Sequence, residues 1–338
     1  MTPGVTVNRT DDIHPCYEID TVSYILIRKP STVCVLLYII FGSLSVVTVC
    51  GNLLVIISII YFKQLHTPTN CLILSLAVAD LLVGIVVIPA SMKFPLSTCL
   101  YYEDFICKVR LCFDITLGTA SILNLCCISI DRYYAVCQPL TYGTKTNVHV
   151  VVMILASWSV SILVVICFVI ARSNLAKCEQ KCLLEILLEN ILGPIFSFYL
   201  PVIVMLCIYL KIFHVAQRQA RSIQNTTSTK SGAGVSKMEK KATKTLAIVM
   251  GVFLVCWTPF FLCITFEPFS NNPISLTVIE MLNWLALSNS MLNPFIYAFF
   301  YSWFRSAFRM IISGKIFKSH QLDQNKNSMF KLTTMLTN

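Results

Sequence analysis

Seven long apolar stretches dominate the chain, and few folds can accommodate them. They run Val33–Phe62, Cys71–Met92, Ile106–Ala135, Val148–Ile170, Asn190–Phe213, Leu246–Phe266 and Leu276–Phe300. Each is long enough to cross about 30 Å of hydrocarbon as an α-helix, which takes about 20 residues. In lipid every backbone N–H and C=O must be satisfied inside the segment, so runs of this kind are helices. The third and seventh contain polar residues and are less apolar than the rest. Of the 338 residues 56% are hydrophobic and only 12% charged, about half the roughly 25% of a soluble domain. Too little polar surface is left to cover a globule of this size. That excludes a disordered chain, a nucleic-acid-binding domain and an ordinary soluble enzyme. The expected fold is an all-α membrane protein, a seven-transmembrane helix bundle.

The net charge of +10 is distributed unevenly. Seven spans put the termini on opposite sides. One side carries nine Lys and Arg against eleven acids, a net −2; the other carries seventeen against three, a net +14. Asp80 and Asp114 are left inside the membrane. The positive-inside rule places the basic side, and with it the C-terminus, in the cytoplasm. Residues 1–31 then form an extracellular N-terminus, 32–301 the seven-helix bundle and 313–338 a disordered cytoplasmic tail. No cleavable signal peptide is visible near Met1, so the first span serves as the insertion signal. Asn8-Arg9-Thr10 is a glycosylation acceptor on the outer side. Gln217–Lys244, rich in Ser, Thr, Gly and Lys, reads as a mobile loop between spans five and six. Residues 302–312 alternate Phe304, Phe308 and Ile311 with Arg305 and Arg309, the pattern of a short amphipathic helix on the membrane surface.

An ionisable residue inside a span is costly and marks function. Cys107, Leu111, Asp114, Gly118 and Ser121 share one face of the third helix, and Asp114 lies about 10 Å below Cys107. No span offers a Lys or Arg at comparable depth, so Asp114 is expected to bind an external cation rather than an internal partner. Asp80 in span two is deeper. Asn52, Ser121, Asn289 and Asn293 are its expected neighbours, and such a cluster holds either a sodium ion or a hydrogen-bonded network. Pro259 and Pro294 interrupt spans six and seven and kink them, the first amid Trp257, Phe260 and Phe261. Sixteen cysteines are present, most of them inside spans. Of the outer ones, Cys107 can pair with either Cys178 or Cys182, leaving Cys16 the other; spacing does not choose.

These residues resemble a known family. Asp131-Arg132-Tyr133 ends span three, Cys256-Trp257-Thr258-Pro259 sits in span six, and Asn293-Pro294-Phe295-Ile296-Tyr297 in span seven. With Gly51-Asn52, Asp80, Trp158 and Pro201 in order, they resemble the rhodopsin-like class of G-protein-coupled receptors over nearly the whole chain. Asp114 stands eighteen residues before Arg132, the position of the amine-binding aspartate in aminergic receptors. The run Asn289 to Phe304 looks like the seventh-span signature of trace amine-associated receptors. The resemblance implies Cys107–Cys182 and Cys16–Cys178 disulfides and coupling to a stimulatory G protein that raises cyclic AMP. It also implies arrestin and receptor kinases as partners, and an olfactory role at the plasma membrane. The ligand it implies is a small volatile amine held by Asp114, with Trp257, Phe260, Phe261, Trp284 and Ser197 around it.

The chain departs from aminergic receptors at Leu287, where many relatives have a tyrosine; Asn283 one turn away can substitute. Residues 190–194 contain no acid, which favours a monoamine over a diamine. No Lys in span seven excludes a retinal Schiff base, and no cysteine follows Cys263, which excludes palmitoylation of the tail. The expected switch pairs Arg132 with Asp131 and with Glu239 at the foot of span six, next to Tyr133, and releases it through Pro259, Pro294 and Tyr297. The rival functions are a serotonin- or dopamine-type or peptide receptor, and a transporter or channel. The absence of internal repeats argues against transport. No nucleophile–base pair or metal cluster suggests an enzyme, and no cofactor beyond the sodium ion is called for.

Overall fold

A computed structural model describes residues 32–93, 105–138, 142, 147–175, 191–225, 232–270, 274–300 and 302–313. These form helices, with no strand among them. The elements are α1 (Thr32–Tyr61), α2 (Pro68–Leu82), α3 (Phe105–Cys137), α4 (Asn147–Leu175), α5 (Leu200–Asn225), α6 (Gly232–Phe266), α7 (Leu276–Phe300) and α8 (Ser302–Ile312). A π-helical turn at Val83–Val87 carries α2 on into Ile88–Lys93, and another at Ile195–Tyr199 precedes α5. Six of the helices are long and apolar enough to cross a membrane. The seventh, α7, is more polar, as its sequence indicates, and takes its place by packing between α1 and α6. The bundle closes as α1 against α2, α2 against α3, α5 against α6, α6 against α7 and α7 back on α1, with α3 inside, touching α2, α4 and α5.

Lipid reverses the usual sorting of side chains. Val151, Val152, Leu155 and Leu163 of α4 face outward, because apolar surface has nothing to gain by leaving hydrocarbon tails. Only 22% of the most apolar window of α4 is buried inside the bundle, against 61% in the α2 span, so α4 is peripheral and α2 central. The interior instead takes polar residues: Asn52, Asp80, Ser121, Asn124, Asn283, Asn289, Ser290 and Asn293 are all buried. Close helix approach depends on missing side chains. A β-carbon on Gly51 would lie 3.0 Å from Pro294, so glycine lets α1 approach α7 at that proline.

The helix ends follow from local chemistry. Thr67 caps α2 by accepting from the Asn70 N–H at 3.3 Å, with Pro68 in the first turn, where its missing N–H costs nothing. Arg305 of α8 donates to the carbonyls of Ala298 (3.2 Å) and Phe299 (2.9 Å), capping the end of α7. Buried Ala307 packs with Phe62 and Leu65 at the α1–α2 turn. The expected amphipathic helix thus occupies its expected residues.

One expectation is overturned. The Gln217–Lys244 stretch is mostly helical: α5 continues to Asn225 and α6 begins at Gly232. Polarity ends a membrane span but not a helix, and the Gln, Arg, Lys and Ala of this stretch are good helix formers.

Candidate functional site

Asp80 of α2 is fully buried. Three donors converge on its carboxylate: Ser121 from α3 at 3.1 Å, Ser290 at 2.8 Å and Asn293 at 2.7 Å, both from α7. Two of the expected neighbours, Ser121 and Asn293, are therefore in direct contact. Asn52 is not; its amide donates to the Thr48 and Ser290 carbonyls, which ties α1 to the same network. Asn289 makes no hydrogen bond through either side-chain polar atom although both are buried. Ser290 is a further neighbour; it stands one helical turn before Asn293, so the helical period puts the two on one face, and that is the signal that could have found it. Asp80 has no ion pair among the described residues. A buried anion met by two hydroxyls and an amide suits a small hard cation.

Asp114 lies on the inner face of α3, on the same stripe as buried Cys107, Leu111, Gly118 and Ser121. Its side chain keeps 16% exposure. Below it, a β-carbon on Gly118 would lie 3.2 Å from the Trp257 ring, so this glycine makes room for the indole. Trp257, Phe261 and Phe198 form a continuous aromatic wall: Trp257–Phe261 centroids are 5.7 Å apart, and Phe198 stacks on Phe261 at 4.3 Å. Phe260 meets Phe261 edge-on. Tyr199 braces α6 just after Pro259 by donating toward the Phe261 carbonyl at 3.3 Å and the Thr265 hydroxyl at 3.2 Å. Phe198 and Tyr199 were not singled out from the sequence, since an aromatic pair before a proline is indistinguishable there from ordinary packing.

The remaining expected ligand residues are placed differently from one another. Asn283 is buried with an unbonded Nδ2. Ser197 is buried but donates to the Gly193 carbonyl of its own segment at 2.8 Å. Trp284 stacks on Phe41 of α1, with centroids 3.6 Å apart, and packs in the cluster of Val87, Leu117 and Leu287. Cys107 is disulfide-bonded. Its expected partner Cys182, the Cys16–Cys178 pair and Asn8 lie outside the described residues.

The electrostatics of Asp114 correct the sequence-based expectation. Arg110, counted among the outer charges, is buried within α3 with 2% exposure. It stands one turn from Asp114, and its Nη2 comes within 3.8 Å of Asp114 Oδ2. Its Nε and Nη2 donate to Ser91 Oγ at 3.3 and 3.0 Å. An internal cation at this depth therefore does exist. Charge was assigned by proximity to the span's end, whereas a long side chain at the first buried turn folds inward when a serine and a carboxylate receive it. Glu280 of α7, also counted outside, adds a second negative charge to the field at Asp114.

At the other end of α3, Arg132 donates to Asp131 through Nη2 at 2.6 Å and Nε at 3.2 Å. It also meets Thr69 Oγ1, and it reaches the Tyr142 hydroxyl at 3.2 Å. Thr69 donates to Asp131 at 2.7 Å. Thr69 and Tyr142 are additions to the expected switch; sixty-two residues separate Thr69 from Asp131, so only folding joins them. Lys211 of α5 lies 5.8 Å from the centroid of the Tyr133 ring. Tyr297 is buried beside a cavity also lined by Leu125, Ile128, Met205, Met250 and Phe253. Pro259 and Pro294 both lie inside unbroken helices. The side chain of Glu239 lies outside the described residues.

The seven-helix arrangement, with these residues in it, matches the family model of the 7 transmembrane receptor (rhodopsin family) over residues 51–297. The chain belongs to that family. It is 42% identical to trace amine-associated receptor 1 of Macaca mulatta, over 93% of this chain and 98% of that one. It is 45% identical to trace amine-associated receptor 4 of Mus musculus, over 86% and 89%, and 41% identical to trace amine-associated receptor 2 of Rattus norvegicus, over 81% and 84%. It is thus a multi-pass G-protein-coupled receptor of the trace amine-associated group, and not an enzyme.

Proposed function

We propose that the receptor responds to small, volatile, monobasic amines and activates a stimulatory G protein, raising cyclic AMP, in an olfactory role at the plasma membrane. The observation that carries this is the Asp114 carboxylate, set inside the bundle with its side chain 16% exposed, one turn above the glycine that makes room for the Trp257 ring of the aromatic wall. The names of its relatives support the same ligand class. A ligand ammonium forms a charge-assisted hydrogen bond with Asp114 and lies against Trp257, Phe260 and Phe261; Asn283 offers a further polar contact, while Ser197 and Trp284 line the far and near ends. The basic ends of the helices face the cytoplasm and the N-terminus faces outward, glycosylated at Asn8. A glycosidase-sensitive mass shift on gels, lost in Asn8→Gln, tests that orientation.

Activation is a population shift toward whichever state binds the ligand better. The ligand moves the aromatic wall around Trp257, α6 swings at Pro259, and α7 follows at Pro294 and Tyr297. Arg132 leaves Asp131 and Glu239, and a cleft opens for the G protein; arrestin and receptor kinases follow at the same face. Asp80, with Ser121, Asn289 and Asn293, holds a sodium ion in the resting state, and Ser290 completes that set. The deciding experiment is a screen of volatile primary and tertiary amines in cells reporting cyclic AMP, with Asp114→Ala alongside. Amine responses should vanish in the variant while surface expression persists; an unchanged dose response would refute the assignment.

A further inference from the structure

We infer that Arg110 is an anion subsite beside Asp114, and that the preferred ligand carries an acidic group a few bonds from its ammonium: an amino acid, or another short amphoteric amine. This rests on the reading of Asp114 as the ammonium site; an amphoteric amine is a non-volatile zwitterion at neutral pH, so it replaces the volatile amine as the preferred ligand while keeping the ammonium on Asp114. Three observations carry it. Arg110 is 2% exposed, so its charge is held away from water and needs a partner. Its Nη1 is buried and has no hydrogen-bond partner, while Nε and Nη2 are both spent on Ser91. Its approach to Asp114, 3.8 Å, is too long for a hydrogen bond, and no hydrogen bond to Asp114 occurs among the described residues.

Arg110 and Asp114 therefore face each other with unused hydrogen-bonding capacity on both sides. A plain ammonium on Asp114 takes the carboxylate nearest Arg110 and leaves two cations side by side. A ligand with both charges places its ammonium on Asp114 and its carboxylate on Arg110 Nη1, and each buried charge gains a hydrogen-bonded partner.

The test uses the purified full-length receptor and ligand-induced shifts of its unfolding temperature. The probes are matched pairs, each an amino acid with the amine left by its decarboxylation: phenylalanine with phenethylamine, valine with isobutylamine. On wild type, the acid-bearing member of at least one pair should bind tenfold or more tightly than its amine. Arg110→Gln should remove or reverse that preference, and Arg110→Lys should keep its direction. If every plain amine binds as tightly as its amino acid, or if Arg110→Gln retains the preference, the inference is overturned while the amine reading stands. Should Arg110→Gln give no unfolding transition, the wild-type ratio and Arg110→Lys decide. If neither member of any pair binds, or Asp114→Asn binds both as wild type does, both readings fail together.

Discussion

Arg110 illustrates how one side chain alters the meaning of another. Asp114 alone is an anion in an apolar bundle; Asp114 with a guanidinium one helical turn away is half of a loose pair. Such pairs gain little on balance unless their hydrogen bonds are complete, and this one is incomplete on both sides. Asp80 is the opposite case. Its carboxylate is met by three donors and by no cationic side chain among the described residues. An uncompensated charge at such depth calls for a small cation. Purified wild-type receptor should therefore unfold at a higher temperature in sodium chloride than in choline chloride at equal ionic strength. Asp80→Asn should unfold at the same temperature in both. Equal temperatures for wild type would dispose of the sodium site.

Among the helices, α8 depends most on its neighbours. Eleven residues are too few to be stable in water unaided. It is held by Ala307 and Met310 against the α1–α2 turn, by Phe304 buried in the main core, and by Arg305 on the last carbonyls of α7. Arg305→Ala should cost about 0.3–1 kcal/mol at that junction. The measurement is amide hydrogen exchange, which should quicken within residues 302–312 and leave α1 to α6 unchanged. The two proline-bearing helices differ in how they are braced. Tyr199 from across the bundle donates to the Phe261 carbonyl just after Pro259 in α6, and Gly51 of α1 comes close to Pro294 in α7. Both proline positions are fastened to other helices, so a shift at either is felt by a neighbour.

Across the whole molecule, the ligand end and the Arg132 end are joined through α3 and the aromatic contacts of α5 and α6. Arg132 is held by Asp131, Thr69 and Tyr142 on the α2–α4 side, and the proposed pairing with Glu239 would fasten the α6 side. Glu239→Ala should then raise basal cyclic AMP several-fold at equal surface expression. A basal level at or below wild type would show that α6 is restrained by something else.

Helix number, span positions and the two acids within the spans, Asp80 and Asp114, were legible in the chain because lipid imposes a one-dimensional rule: about 20 apolar residues per crossing, and any charge inside stands out. Leu276–Phe300 is even recovered to its ends. The amphipathic pattern of residues 302–312 survives for the same reason, since an interface sorts side chains by helical period. What pattern could not supply is which distant side chains meet. Ser290 on Asp80, Thr69 on Asp131 and Phe198 on Phe261 join residues separated by 62 to 210 positions, and such meetings are set by helix packing, not by local sequence. The continuation of α5 and α6 past the membrane was missed because hydropathy reports solvent, while helicity follows backbone propensity. Arg110 is the sharpest case. Its place near the end of a span marks it as a surface charge, and only the packing of α3 against Ser91 turns it inward beside Asp114.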